Sequence, residues 1–320
     1  MIRHNPKACV SQRRFWQLGF LLLFIITPLL DWFRLDLNLG HFILFGQDWK
    51  LNLTALQNAS TVQLIWRLLW VALLPLLLTV VVFLFIAWRW GRLYCGWLCP
   101  HFLAVESINQ LMKRATGKLS LWDRKTIPQQ QMDGTHYRQH PFWWLPTFMA
   151  IMLFAFAWAL IAITYLLPPD EVYHNLINGQ LTRHQMLFLS VVSGVFMIEF
   201  TFARHLFCRY ACAVGVFQSL AWMANKRALV VGFNGSRAKA CASCDKSCEH
   251  ACPMRLKPRT IKRNMFTCTQ CTACVDACTQ VQLNLHQPGL LNMLDGDCAL
   301  DKSQRDFGRK AQIPPSCFEQ

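Results

Sequence analysis

Four stretches of this 320-residue chain, 15–30, 68–88, 142–167 and 187–203, hold almost no charged residues. Runs of that kind exclude an ordinary soluble surface for those segments, since about 20 apolar residues are enough to cross the hydrocarbon core of a bilayer as a helix. Other features are missing as well. No Cys-x-x-Cys-His occurs, which sets covalent c-type haem aside, and no apolar stretch carries a pair of histidines, which argues against a membrane b-haem. The first stretch follows a basic start (Arg3, Lys7, Arg13, Arg14), yet no small-residue cleavage site comes after it. An uncleaved signal anchor is therefore expected. The formal charge is +15, but Lys and Arg flank the apolar runs and form no isolated aromatic-studded patch. Nucleic acid is not the expected partner; the membrane is.

Spans are expected at about 15–33, 68–88 (with Pro75 as a kink), 142–167 (stopped by Pro168-Pro169) and 187–207. The positive-inside rule orients them. Residues 1–14 carry four Lys/Arg and no acid, 31–66 two against three, 89–141 eight against three, 168–186 one against two, and 204–320 sixteen against eight. The alternation puts both termini in the cytoplasm. Trp66, Trp70, Trp88, Trp90, Trp143 and Trp144 lie near span ends, where interfacial aromatics belong.

What the chain has in abundance is cysteine: fifteen, of which twelve fall in four tight clusters. Structural disulfides rarely bunch so closely, whereas ligands of one metal group must converge. Span two ends in "GRLYCGWLCPHF" and span four in "ARHLFCRYACAV", giving Cys95/Cys99 and Cys208/Cys212. Lys113-Arg114 and Lys226-Arg227 follow at the same offset, with amphipathic stretches between. We read two copies of one unit: two membrane helices, a dithiol at the cytoplasmic face, then an interfacial helix. Spacing i, i+4 would put both thiols on one helical face. Soft thiolates suit Cu(I), Zn(II) or an iron–sulfur centre; a redox dithiol and plain packing of small apolar residues are the other readings. Glu199 in span four could serve a quinone or proton path, or pair structurally with Arg204. His101 and His205 could add nitrogen ligands, though a lone histidine near an interface is more often a surface residue.

The densest signal lies at 241–278. The run "CTQCTACVDAC" (Cys268, Cys271, Cys274, Cys278) has the bacterial ferredoxin spacing C-x2-C-x2-C-x3-C. In that pattern three thiolates wrap one cubane and the fourth reaches the other cluster. The preceding run "CASCDKSCEHACP" has one extra residue, so a bulge is expected at Asp245–Ser247. The crossed assignment gives Cys241, Cys244, Cys248 and Cys278 to cluster one, and Cys252, Cys268, Cys271 and Cys274 to cluster two. Zinc is the competing reading, since paired Cys-x2-Cys motifs also build zinc ribbons. Arg255, Lys257, Arg259, Lys262 and Arg263 lie between the runs, where positive charge could stabilise a reduced cluster, dock an acidic donor or meet anionic lipid. Cys9, Cys298 and Cys317 are isolated and carry no assignment.

These motifs together resemble the CcoG/RdxA/FixG polyferredoxins over roughly residues 30–285. "FRLDLNLGHFILFG" is similar to that family's "FR-(I/L)-DL … F-x-LFG" segment, and "CGWLCP" and "FCRYACAVGVFQS" to its two membrane motifs. NapH and the membrane part of NosR share the cysteine plan but match that segment less well. The chain departs from the family in Ala213, which stands where a proline is usual, in the extra residue of the first run, and in showing no further span or immunoglobulin-like domain after residue 224. The resemblance implies electron delivery at the membrane, through reduction of cupric to cuprous copper in support of haem–copper oxidase assembly. It also implies that Cys95, Cys99, Cys208 and Cys212 form the redox or copper site.

The expected fold class is mainly α: a four-helix transmembrane bundle with a cytoplasmic bacterial-type two-cluster ferredoxin domain of small α+β type. The divisions are a basic cytoplasmic N-terminus (1–14), a transmembrane domain (15–228), a ferredoxin-type domain with two [4Fe-4S] clusters (229–290) and a disordered tail (291–320). The expected function is that of a multi-pass iron–sulfur electron-transfer protein of a bacterial inner membrane, acting as a cupric reductase with Cu(I) at the dithiols. Its partners would be a cytoplasmic electron donor and oxidase-assembly proteins. The alternatives are a quinol dehydrogenase subunit of NapH type, with quinone as partner, and a non-enzymatic assembly or scaffold factor.

Overall fold

The computed structural model describes residues 6–49, 61–123, 126–303 and 315–318. Of Cys9, and of much of the expected tail, the side chains lie outside the described residues. The chain divides into two compact units, one from Leu21–Leu84 and Ile151–Glu199, the other from Met1–Phe20, Phe85–Ala150 and Phe200–Gln320.

Helix α1 (Pro6–Leu29) ends one residue after Pro28. Span one therefore stops short of the expected Phe33, because Asp31 takes a left-handed φ of 53° and turns the chain. Phe33 opens a strand instead. Strands β1 (Phe33–Asp36), β2 (His41–Leu44) and β3 (Gln47–Trp49) form an antiparallel sheet in chain order. In the same unit, Leu35 N–H donates to Tyr165 O at 2.9 Å and Leu37 N–H to Leu166 O at 3.0 Å. Arg34 binds Asp31 and, at 2.7 Å, the buried Asp36.

The second apolar run forms α2 (Thr61–Leu68), a π turn (Leu69–Leu73) and α3 (Leu74–Trp90). Pro75 was expected to kink this span. A wider π turn stands just before it, with Leu74 N–H reaching Leu69 O, next to the residue that has no N–H to donate. None of the most apolar stretch of Ile65–Trp90 is buried inside the protein. An apolar helix exposed all round has no stable place in water.

In the other unit lie α4 (Leu93–Trp97) and α5 (Pro100–Thr116), the latter closed by Gly117 at a left-handed φ of 71°. Helix α6 (Trp144–Thr164) follows, then α7 (Pro169–Ile177) and α8 (Arg183–Ile198), whose start is fixed by a reciprocal cap between Thr182 and Gln185. Ala159, Ile163, Val172 and Leu189 form a small buried core in the first unit, that of Leu21–Leu84 and Ile151–Glu199. Span four ends at Ala203 rather than 207: a π turn (Glu199–Ala203) is followed by Arg204 at a positive φ of 37°. Among the described residues, three helices are long and apolar enough to cross a membrane: Ile65–Trp90, Pro141–Thr164 and Arg183–Ala203. They mark the chain as a membrane protein.

The cysteine-rich region comprises α9 (Ala213–Ala224), β4 (Val230–Phe233), α10 (Ser247–His250), α11 (Ala273–Asn284), β5 (Leu291–Leu294) and α12 (Asp297–Ser303). Strands β4 and β5 pair antiparallel, Val230 opposite Leu294. This corrects the disordered tail expected from residue 291. Leu290, Leu291, Leu294 and Ala299 are buried in the core that also takes Trp222, Met254 and Met265, so the folded module runs on to Ser303. Cys298 and Cys317, isolated in sequence, are joined by a disulfide.

Candidate metal centre

The second cysteine run owes its path to two left-handed residues. Gln270 (φ 53°) and Thr272 (φ 59°) each reverse the backbone between cysteines, which lets Cys268, Cys271 and Cys274 curl around one point before α11 carries Cys278 away. In the first run the extra residue makes the expected bulge. Lys246 is left-handed (φ 65°), and the Asp245 carboxylate accepts from Ser247 N–H at 3.0 Å and from Met132 N–H at 3.0 Å.

Two cavities result. Cys241, Cys244, Cys248 and Cys278 line one, which is partly open to solvent. Cys252, Cys268, Cys271 and Cys274 line the other. The sets that share a cavity are those of the crossed pattern. All eight are free thiols. Among the described residues, no three His, Cys, Asp or Glu side chains are close enough to hold one metal ion. A zinc site gathers its sulfurs within about 2.3 Å of a single ion, so four thiols spread around a cavity suit a polynuclear group better. Burial pushes the Cys248 thiol up to about 12 and Cys252 up to about 11, and raises Cys268, Cys274 and Cys278 as well. Thiols so placed stay protonated until a metal group displaces the protons. The donor set, its burial and the cavities fit iron–sulfur clusters.

The basic run between the motifs is largely spent inside the protein. Arg255 binds Asp123, and Arg259 binds Glu249 at 2.6 Å while lying within electrostatic reach of Cys248 and Cys241. Lys262 is buried, with Nζ donating to Trp222 O at 2.9 Å and Asn225 O at 2.6 Å and resting 4.5 Å from the Trp222 ring centre. It thus satisfies carbonyls at the end of α9, and burial pulls its ammonium down to about 8. Replacing Lys262 with methionine would leave those carbonyls without a donor. We expect a loss of about 1–3 kcal/mol in stability, read as a lower midpoint for urea-induced bleaching of the cluster absorbance.

The dithiols do not sit on one continuous helical face, as their spacing suggested. Cys95 is in α4 and Cys208 in a π turn (Phe207–Ala211), while Cys99 and Cys212 are the N-caps of α5 and α9. The helix breaks at Cys99 because Pro100 pushes the residue before it into extended backbone (φ −62°, ψ 116°). Cys212 takes the same conformation (φ −71°, ψ 108°), although alanine follows it. Cys99 N–H donates to Tyr94 O and Cys212 N–H to Phe207 O, both at 2.9 Å, so the repeat read in the sequence is also a repeat of backbone.

Between the two copies lies Arg92, fully buried. Its Nη1 donates to Cys208 O at 2.9 Å, its Nε to Ser219 Oγ, and it is within electrostatic reach of Cys95, Cys212, Cys208 and Cys268. Cys95 Sγ donates to Gln218 Oε1 at 3.3 Å. A Cβ on Gly215 would meet Arg92 Nη1 at 2.9 Å, so a larger residue there would push the guanidinium aside. Gly215, Gln218, Ser219 and Trp222 make one buried stripe of α9, whereas Val214, Phe217 and Leu220 are exposed. The helix turns its small and polar stripe to the protein and its apolar one outward, as an interfacial helix would.

The dithiol layer abuts the second ferredoxin run. Trp97 Nε1 donates to Gln270 O at 3.1 Å, and Gly96 lies against Thr269 O. On its other side, Gly96 O accepts from Arg13 Nε at 3.0 Å and Gln17 Nε2 at 3.1 Å. Arg92, Gln17, Gln218 and Ser219 were not singled out from sequence; the one available signal was the polar i, i+3, i+4 stripe on α9. His101 stacks on Phe200 and edges Phe207, at 5.3 and 5.4 Å between ring centres, and His205 is buried. Glu199 opens its π turn and belongs to the unit of Leu21–Leu84 and Ile151–Glu199.

Comparison with known proteins bears on the same segments. A family described as "4Fe-4S binding domain" matches twice, at residues 66–118 and 184–229, the two copies of the repeat. The electron transport protein YccM of Escherichia coli, whose naming is provisional, is 28% identical over 205 residues, 63% of this chain and 53% of that protein. A Methanocaldococcus jannaschii protein of uncharacterised function is 25% identical over 212 residues, 66% of this chain and 71% of that one. The regulatory protein NosR of Pseudomonas aeruginosa is 26% identical over 142 residues, 41% of this chain and 18% of its own length. The chain thus spans about half of YccM and a minor part of NosR. No solved structure matches. The matches, the membrane-length helices and the cysteine layers together support a membrane-type ferredoxin family and a role as an iron–sulfur electron-transport protein.

Proposed function

We propose that this chain is a multi-pass electron carrier of the CcoG/RdxA/FixG kind, with α1 as a fourth span, both termini cytoplasmic, and two [4Fe-4S] clusters. Cys241, Cys244, Cys248 and Cys278 would hold one cluster, and Cys252, Cys268, Cys271 and Cys274 the other. The observation that carries this reading is the pair of four-thiol cavities, one of which touches the dithiol layer through the Thr269–Gln270 turn. The clusters supply one-electron storage. The protein's own residues bury most of the sulfurs, set Arg259 beside the first cavity and Arg92 beside Cys268, and fix the second cavity against the membrane-proximal dithiols. In a reducing cytoplasm the Cys298–Cys317 pair would rest as two thiols.

Electrons would come from a soluble donor and leave at the dithiol layer. The family resemblance makes cupric ion the acceptor, each Cu(II) taking one electron to become Cu(I). The quinol-linked alternative is favoured by Glu199, a carboxylate in a π turn at the end of an apolar helix, since such turns are frequent at functional sites. The test uses protein purified anaerobically in detergent and reduced with a measured amount of dithionite. Cu(II) is expected to reoxidise it, with one Cu(I) trapped by a cuprous chelator for each electron. Changing Cys95 and Cys99 together to serine is expected to slow that reaction about tenfold or more. Reduced clusters that persist in excess Cu(II) would sink the copper reading, and their reduction by menaquinol would favour the alternative.

A further inference from the structure

The dithiol layer has features that a bare copper site would not need. Thiols from both backbone repeats lie within electrostatic reach of one buried guanidinium. Cys95 is within electrostatic reach of Cys99 and Cys212, Cys99 of Cys212, and Arg92 of Cys95, Cys208 and Cys212. Yet among the described residues no three such side chains are close enough to share one ion. The second cysteine of each pair caps a helix, α5 of 17 residues and α9 of 12, so two positive helix ends point at this place. At Cys99 the N–H groups of Phe102 and His101 hydrogen-bond toward the thiol. Arg92 is wholly buried, and among the described residues its Nη2 has no hydrogen-bond partner. A buried unpaired donor on a charged group is costly, and this one sits among sulfurs.

Two helix ends, an arginine with a spare N–H and four thiols make a setting for a group that is anionic as a whole and larger than one atom. We propose that Cys95, Cys99, Cys208 and Cys212 hold a third iron–sulfur cluster, with Arg92 as its hydrogen-bonding counter-cation. Four thiolates around an iron–sulfide core leave a net negative charge, which Arg92 and the helix ends offset. Hydrogen bonds to sulfur and nearby charge are among the factors that set the potential of such a group. The proposal rests on the electron-transfer reading and deepens it, by naming what receives the electron at the membrane face.

The test compares the full chain, purified anaerobically, with Cys95→Ser/Cys212→Ser and with Arg92→Met and Arg92→Lys, each checked for monodisperse elution in detergent. The wild type is expected to hold about two to four irons, with matching acid-labile sulfide, beyond the double cysteine variant. That variant should lose one Mössbauer and EPR component and keep the ferredoxin-type signals. Equal iron in the two proteins would overturn the proposal, as would one copper per chain bound at the dithiols in place of iron. Arg92→Met is expected to shift the midpoint of that component to more negative potential, with Arg92→Lys in between; an unmoved midpoint would overturn the role given to Arg92. Ferredoxin signals missing from both proteins while the dithiol-dependent iron remains would support this site and overturn the reading of the previous subsection.

Discussion

Gly96→Ala is expected to cost the protein the iron that the proposed cluster assignment gives to Cys252, Cys268, Cys271 and Cys274, while sparing the other ferredoxin-type set. A methyl group at Gly96 would lie 2.1 Å from Thr269 O, far inside contact distance. The obstacle is backbone, so no side chain can swing aside to relieve it. Nor can the glycine retreat easily, since its own carbonyl is held by Arg13 and Gln17, and Arg13 is anchored by Glu106. Overpacking of well-filled sites costs roughly 1–3 kcal/mol, and a backbone-to-backbone clash belongs at the upper end. The strain should fall on the Cys268–Thr272 turn, whose left-handed residues already commit it to one path. Iron analysis and EPR of the variant beside the wild type would read the outcome. Full iron content with unchanged signals would show that the turn moves freely and that the packing read at Gly96 is not tight.

The second large effect concerns Cys278. It belongs by sequence to the second run, but it lines the cavity of the first. Cys278→Ser is therefore expected to remove or convert the cluster of Cys241, Cys244 and Cys248, lowering ferredoxin-type iron by about half and leaving the EPR of one uncoupled cluster. Cys274→Ser, four residues earlier on α11, should take away the other signal. The same signal lost in both variants would refute the crossed arrangement. The pair of variants also controls for folding, since both cysteines are on one helix and both are buried.

The cysteine groupings were legible in the sequence because short gaps between thiols leave the chain few ways to wrap. The membrane helices were legible because long charge-free runs have few other fates. The sheet at residues 33–49 was not: "FRLDLNLGHFILFG" stood out only by its family resemblance, and its strand character comes from pairing along three short strands and from Leu35 and Leu37 bonding to Tyr165 and Leu166. Arg92 was invisible for a different reason. It stands in a row of juxtamembrane basic residues, and nothing in the row tells a buried guanidinium from a solvated one. Lys262 was hidden in the same way, as one of five positive charges between the two cysteine runs with nothing to mark it as the buried one. The i, i+4 argument failed at both dithiols because the helix restarts at the second cysteine, with proline forcing it once and alanine adopting it once.

The seat of the Thr269–Gln270 turn sets an order of events in biosynthesis. Trp97 and its partner Gln270 are 173 residues apart in sequence. At ribosomal rates that interval is roughly 10–30 s, during which the indole N–H and the hollow beside Gly96 wait for a partner not yet made. The second cavity therefore cannot close until the earlier membrane-proximal segment is folded and the later cysteines have emerged. On the proposed cluster assignment, iron loading there would be a late checkpoint, one that a chain stalled in membrane insertion would fail.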